Sequence, residues 1–222
     1  MAGGLLHASS GRLLTERIET ILFPGPAGRL EGLWKDVAPP RRGGAVFAHP
    51  HPLFGGTLHN KVVYRAARAL VENGWATLRF NFRGVGLSEG VHDQGVGETL
   101  DFKAAEDEVE RRTGGPLLAG GFSFGSAAAL RASVEDTRVA AFLGVGLPVA
   151  TESIRETPRP TVPALFVVGE EDTYGPPALL REFLGESGDV VVVPGTGHFF
   201  EGRLSELEAA VGSFLRRLPV SS

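Results

Sequence analysis

The chain has 222 residues, 42% hydrophobic and 22% charged, with a formal net charge of -4 and no cysteine. That length suits one well-buried α/β core, read here as a single domain over 1–222. The lack of a basic surplus argues against nucleic acid or an anionic membrane as partner, and the missing cysteines exclude disulfides, thiolate zinc sites and a thiolate nucleophile.

The opening stretch MAGGLLHASSGRLLTER has no basic start followed by an apolar core, and no later apolar run approaches the roughly 18 residues of a membrane span, so a cytoplasmic protein is expected. Two hairpin strands, IETILF (18–23) and RLEGLWK (29–35), flank a PGPAG turn and lead to a buried strand GAVFAHP (44–50). From residue 58 the period changes: Val62, Val63, Ala66, Ala67 and Leu70 share one helical face, and Gly74 stops that helix before the strand WATLRFNF (75–82). A charged helix (97–112), a strand PLLAGGF (116–122) and an alanine-rich helix (126–134) follow. Further strands are read at 138–146, 163–169 and 189–194, with helices at 177–185 and 203–218. Continuous apolar strands alternating with helices predict a mostly parallel sheet covered on both faces, behind an N-terminal antiparallel hairpin. In such sheets ligands bind at the carboxyl ends of the strands.

The segment GGFSFGS (120–126) puts Ser123 between a buried strand and a helix, with Gly121 and Gly125 two residues away on either side. G-x-S-x-G in that context is a nucleophile elbow, in which the serine sits in a tight strained turn and its neighbours must be small. GLSEG (86–90) also fits the pattern, but no helix opens behind Ser88, which is read as a structural turn residue. A serine hydroxyl needs a base and an acid to orient that base. Of six histidines only His198, in PGTGHFFEG, lies downstream of Ser123, and it directly follows a strand. Asp172, in FVVGEEDTYG, is the expected acid, with Glu171 as runner-up; Asp136 and Asp189 are read as solvated turn residues at the opposite edge.

The segment AHPHPLFGGT (48–57) is read as an oxyanion loop. One backbone N–H from it should pair with that of Phe124; Pro50 and Pro52 have none, leaving His51, preferred, or Leu53. His49, His51 and His59 are not expected to bind metal, because the prolines hold an extended backbone and no acidic ligand accompanies them. Phe122, Phe124, Phe199 and Phe200 flank the site; within each pair one ring should point inward and one toward substrate. Phe54, Phe122 and Phe199 are taken as substrate-binding.

With these residues assembled, the chain resembles the α/β-hydrolase superfamily, and within it the small lid-less bacterial serine hydrolases near the dienelactone-hydrolase-like group. The matching stretches are HPHPLFGGTLHNKVV, RFNFRGVGLSEG, AGGFSFGS, GEEDTYGPP and GTGHFFEGRL. The resemblance implies a Ser123, Asp172, His198 triad, an oxyanion hole from the 49–53 loop with Phe124, and no cofactor or metal. The elbow carries neither the cysteine of dienelactone hydrolases nor the aspartate of haloalkane dehalogenases, and the segment 148–162, where lipases insert a cap, is short.

Hydrolysis of small or short-acyl carboxylic esters through an acyl-enzyme is therefore expected, with a small-molecule ester as partner. Thioester, lactone or amide cleavage uses the same constellation. A non-catalytic binding protein on this fold, or an assembly subunit joined through its edge strand or last helix, are the readings from other classes; self-association into a homo-oligomer is compatible with the sequence.

Overall fold

The computed structural model describes residues 18–219, so the reading of the first segment lies outside the described residues. Strands β1 (Ile18–Gly25) and β2 (Gly28–Lys35) form the antiparallel hairpin, and β3 (Gly43–Ala48) ends in a loop containing a 3-10 turn, Pro52–Phe54. Then come α1 (Lys61–Glu72), β4 (Trp75–Phe80), α2 (Val96–Thr113), β5 (Leu117–Phe122) and α3 (Phe124–Ser133). The chain closes with β6 (Val139–Val145), α4 (Glu152–Arg155), β7 (Ala164–Gly169), α5 (Pro177–Leu184), β8 (Asp189–Val193) and α6 (Leu204–Arg217). The four-residue α4 lies in the segment read as a short link, and no cap separates β6 from β7.

Among the described residues the strands form one sheet in the order β1-β2-β4-β3-β5-β6-β7-β8, antiparallel at β1/β2 and β2/β4 and parallel from there on. The chain winds from β3 outward to β4, then returns past β3 to β5. That reversal leaves a crevice at the carboxyl ends of β3 and β5.

Period-2 alternation divides the core. Along β3 and β7, Ala45, Phe47, Leu165 and Val167 face one side, with α1 and α6 residues such as Val63, Leu70, Leu207 and Phe214. Val46, Ala48, Phe166 and Val168 face the other, with Phe102, Ala128, Leu130 and Leu180 from α2, α3 and α5. The strand read at 189–194 as continuous and buried is different: β8 alternates, with Val191 36% exposed, because it is the sheet edge.

The second G-x-S-x-G match is a packing hub. Ser88 is buried; its Oγ donates to the Asn81 carbonyl (2.6 Å) and accepts from the Glu31 N–H (2.9 Å). The Asn81 side chain in turn joins Leu58 (2.8 Å) and Glu31 (2.7 Å). This turn ties the hairpin to β4 and leaves Ser88 without a role as nucleophile.

Between α2 and α3, Glu106 is fully buried; Oε1 accepts from the Ser133 hydroxyl (2.7 Å) and Oε2 has no hydrogen-bond partner. Burial, reinforced by Asp136 and Asp107 and offset in part by Ser133 and Arg138, pushes its pKa up to about 8. Between about pH 4.5 and 8 the folded chain holds a proton that the unfolded chain releases, so this group makes stability fall as pH rises through that window. Glu106→Gln is expected to remove that slope, gaining a few kcal/mol over wild type between pH 5 and 8. Urea unfolding across that range checks it; parallel pH profiles for the two proteins would count against a buried neutral carboxyl.

Candidate active site

Four loops at the carboxyl ends of β3, β5, β7 and β8 converge. Ser123 is the N-cap of α3 with φ 55° and ψ -120°, a sparsely populated conformation that costs on the order of 1–3 kcal/mol. The turn is held by the Ser123 N–H donating to the Val145 carbonyl (2.8 Å) and by Ser126 and Ala127 N–H groups donating to the Ser123 carbonyl. Gly121 and Gly125 are there for space: a Cβ at Gly121 would lie 2.4 Å from Gly125 C, and one at Gly125 would lie 2.4 Å from the His49 carbonyl oxygen. The elbow thus packs backbone against backbone and presses the start of α3 onto the loop after β3.

Ser123 Oγ lies 2.8 Å from His198 Nε2, and His198 Nδ1 lies 2.8 Å from Asp172 Oδ2. A carboxylate only accepts, so Nδ1 carries the ring proton and Nε2 accepts from the serine hydroxyl. Asp172 Oδ1 accepts the N–H groups of Tyr174 (2.9 Å) and Gly175 (3.0 Å), which fixes the plane of the carboxylate. The acid and histidine loops are zipped together by Glu170 N–H to the Val193 carbonyl (2.9 Å) and Glu171 N–H to the Thr196 carbonyl (3.0 Å). Glu171, the runner-up, is exposed and makes no side-chain bond to the imidazole. Asp136 is not a free turn residue but chelates Arg138, whereas Asp189 pairs with Arg217 at the opposite end of β8.

Sequence reasoning missed Gly146. Its φ is 54°, and a Cβ there would lie 3.0 Å from His198 Cε1 and 3.2 Å from Nδ1, so a bare position after β6 makes room for the imidazole. A glycine directly after a buried strand was the available signal. Tyr174, whose ring centroid is 4.7 Å from that of His198, was also missed.

The phenylalanine pairs split as expected, but one assignment is corrected. Phe200 and Phe122 are fully buried, and Phe199 is 52% exposed. Phe122 packs behind His198, ring centroids 5.0 Å apart, instead of lining the cleft as expected of a substrate-binding residue, because the residue before the elbow still belongs to the strand and faces the core. Phe54, Phe124 and Phe199 do line it. The cleft holds about 440 Å³ and is bordered also by Asn60, Gln94, Arg131, Pro148, Ile154 and Tyr174.

In the loop after β3 most amides are committed. The N–H groups of Phe54 and Gly56 donate to the His51 carbonyl and that of Gly55 to the Pro52 carbonyl. Leu53 N–H donates to His51 Nδ1 (3.2 Å), so the imidazole caps the 3-10 turn and Leu53, the alternative donor, is occupied. Among the described residues the N–H groups of His51 and of Phe124, at the start of α3, have no hydrogen-bond partner. Burial, and then the neighbouring His92, lower the His51 pKa. Glu98, fully buried, accepts the N–H groups of Asp93 (2.9 Å) and Gly95 (2.7 Å), and lies 2.8 Å from His92 Nδ1 without hydrogen-bond alignment.

His49 is a structural histidine: Nε2 accepts the Phe82 N–H (3.1 Å) and Nδ1 donates to the Pro50 carbonyl (2.6 Å), while burial lowers its pKa to about 4. With both nitrogens engaged it has no lone pair for a metal. Among the described residues no three His, Asp, Glu or Cys side chains group as a metal site would require, and no helix is long and apolar enough to cross a membrane.

No family model matches the chain. It is 34% identical over 209 residues to an uncharacterised protein of Rickettsia prowazekii, covering 88% of this chain and 87% of that one. An α/β serine hydrolase homologue from Coxiella burnetii superposes with a TM-score of 0.83 at 37% identity, covering 88% and 96% of the two chains. A lid-less α/β serine hydrolase of Xanthomonas campestris superposes with a TM-score of 0.85 at 31% identity, covering 93% and 97%. With the elbow, the uncapped sheet and these similarities together, the chain belongs to the α/β serine hydrolases that lack a lid.

Proposed function

We propose that the chain hydrolyses small or short-acyl carboxylic esters through an acyl-enzyme, with Ser123 as nucleophile, His198 as base and acid, and Asp172 as its orienting carboxylate. What carries this is the continuous hydrogen-bonded line from Ser123 Oγ through His198 to Asp172, both links 2.8 Å, opening on a cleft. His198 Nε2 takes the Ser123 proton as Oγ bonds to the carbonyl carbon; the oxyanion is held by the N–H groups of His51 and Phe124. The C–O bond to the alcohol then breaks, with His198 returning the proton to the leaving oxygen. Water, deprotonated by the same Nε2, attacks the acyl-enzyme and releases the acid and the free serine.

An uncapped cleft of about 440 Å³ gives long chains little extra apolar surface to cover and excludes water poorly, so kcat/KM should fall from butyryl to palmitoyl p-nitrophenyl esters. A steady rise along that series contradicts the short-acyl assignment. A fluorophosphonate probe should label wild type and not Ser123→Ala, and a parallel screen of esters, thioesters and amides decides the bond cleaved. An unlabelled wild-type protein with an inert screen would make the fold a binding scaffold.

A further inference from the structure

His49 is a fully buried histidine that the hydrolytic steps above do not use, and its ring is bonded to the peptide unit that carries one of the oxyanion donors. The Phe82 N–H can only donate, so His49 Nε2 is the bare nitrogen and Nδ1 carries the proton. That proton goes to the Pro50 carbonyl oxygen, 2.6 Å away. Burial, offset in part by the Pro50 bond and reinforced by His51, lowers the pKa of the ring to about 4, so this one tautomer persists well into the acid range.

The Pro50 carbonyl and the His51 N–H belong to the same planar peptide. Among the described residues the cis bond is at Pro39–Pro40, so this unit is trans, and its C=O and N–H point in opposite directions. A bond that fixes the carbonyl toward a buried ring therefore fixes the N–H on the side away from that ring. The N–H has no partner among the described residues, and Pro50, His51 and Ser123 line one cleft. The carbonyl has little room to swing, since a Cβ on Gly56 would lie 2.0 Å from its oxygen.

The second donor is tied to the same ring. The His49 main chain lies against Gly125, where a Cβ would come 2.4 Å from its carbonyl oxygen, and the rings of His49, Phe82 and Phe124 follow one another at 4.9 and 5.6 Å between centroids. A hydrogen bond accepted by a peptide carbonyl also polarises the amide and strengthens its N–H as a donor. The line of bonds from the Phe82 N–H through the imidazole to the Pro50 carbonyl thus ends on the oxyanion donor.

We propose that His49 is a positioning residue for ester hydrolysis, its Nδ1–H holding the Pro50–His51 peptide so that the His51 N–H faces the oxyanion formed at Ser123. This rests on the ester-hydrolase reading above.

An asparagine amide can put an N–H near the place of Nδ1, and a glutamine oxygen can reach the place of Nε2, so the two bonds of the ring can be removed one at a time. His49→Gln should keep the acceptor for Phe82 and lose the donor to Pro50. Its kcat for p-nitrophenyl butyrate, per site titrated to completion with a fluorophosphonate, should fall roughly ten- to hundred-fold with KM within a few-fold. Affinity for a trifluoromethyl ketone should fall by a similar factor, because Ser123 Oγ adds to its carbonyl carbon, the serine proton passes to His198, and the adduct carries an oxyanion. His49→Asn should regain most of both. Each variant leaves one buried group unpaired, so a histidine serving stability alone would harm the two alike. Equal losses in the two variants, or wild-type kcat in His49→Gln, overturn the positioning role and leave the hydrolase reading standing. NMR of 15N-labelled wild type covers the case in which neither variant folds: His49 should show its proton on Nδ1, and the His51 amide proton should move downfield when the ketone adduct forms. A proton on Nε2, or a His51 amide unmoved by the adduct, overturns the proposal equally. A wild type that hydrolyses no ester and takes up no fluorophosphonate removes the hydrolase reading and the role of His49 with it.

Discussion

Ser123→Ala is expected to lower kcat for ester hydrolysis by roughly 10⁴- to 10⁶-fold while leaving KM within a few-fold. In the proposed mechanism the hydroxyl forms the covalent bond, so its loss would remove the acyl-enzyme path altogether and leave whatever the oxyanion donors and the cleft supply. The side chain is small and its main-chain N–H, which donates to Val145, survives the change, so the elbow should keep its place. Alanine at φ 55° is no more strained than serine there. Adding His198→Ala should cost almost nothing more, because the two groups act as a unit. Steady-state kinetics with active-site titration, to exclude traces of wild type, reads both effects. Turnover at the wild-type rate in Ser123→Ala would move the chemistry to another residue.

Asp172→Asn is expected to lower kcat by roughly 10⁴-fold with little loss of folded protein. Two amide donors, Tyr174 and Gly175, point at Oδ1, so an asparagine must turn its carbonyl oxygen toward them and its NH2 toward His198. An NH2 group can only donate, so His198 Nδ1 becomes the acceptor and the proton moves to Nε2. In that tautomer Nε2 cannot take the proton from Ser123, although every heavy atom stays where it was. Activity should recover in part at high pH, where hydroxide ion can supply the missing base. Equal activity of Asp172→Asn and wild type near neutral pH would mean that the carboxylate neither orients the imidazole nor supports its charge.

Much of this site is legible in the sequence because its parts are local. Ser123 is marked by a strand, a glycine cage and a helix contiguous in the chain. His198 is the sole histidine downstream, and Asp172 sits three residues past a strand. Hydrophobic period separates the strands and helices, since each element must present its apolar side to the core at its own repeat. The edge position of β8, and with it the half-exposed valines, depends on strand order, which no local stretch encodes.

What the sequence alone determined is therefore the class of fold, the elements, and the three side chains that could act together. The tertiary structure decided the rest. Which amide of the loop after β3 is occupied turned on where the His51 imidazole folds back onto Leu53; the burial of Phe122 and exposure of Phe199 turned on which side of a turn each ring leaves; and Gly146 matters because a segment remote in the chain brings His198 against it. The physical reason is that hydrophobic period and turn chemistry fix the element and its apolar side, whereas where a side chain comes to rest depends on close packing, which joins groups without regard to their separation along the chain.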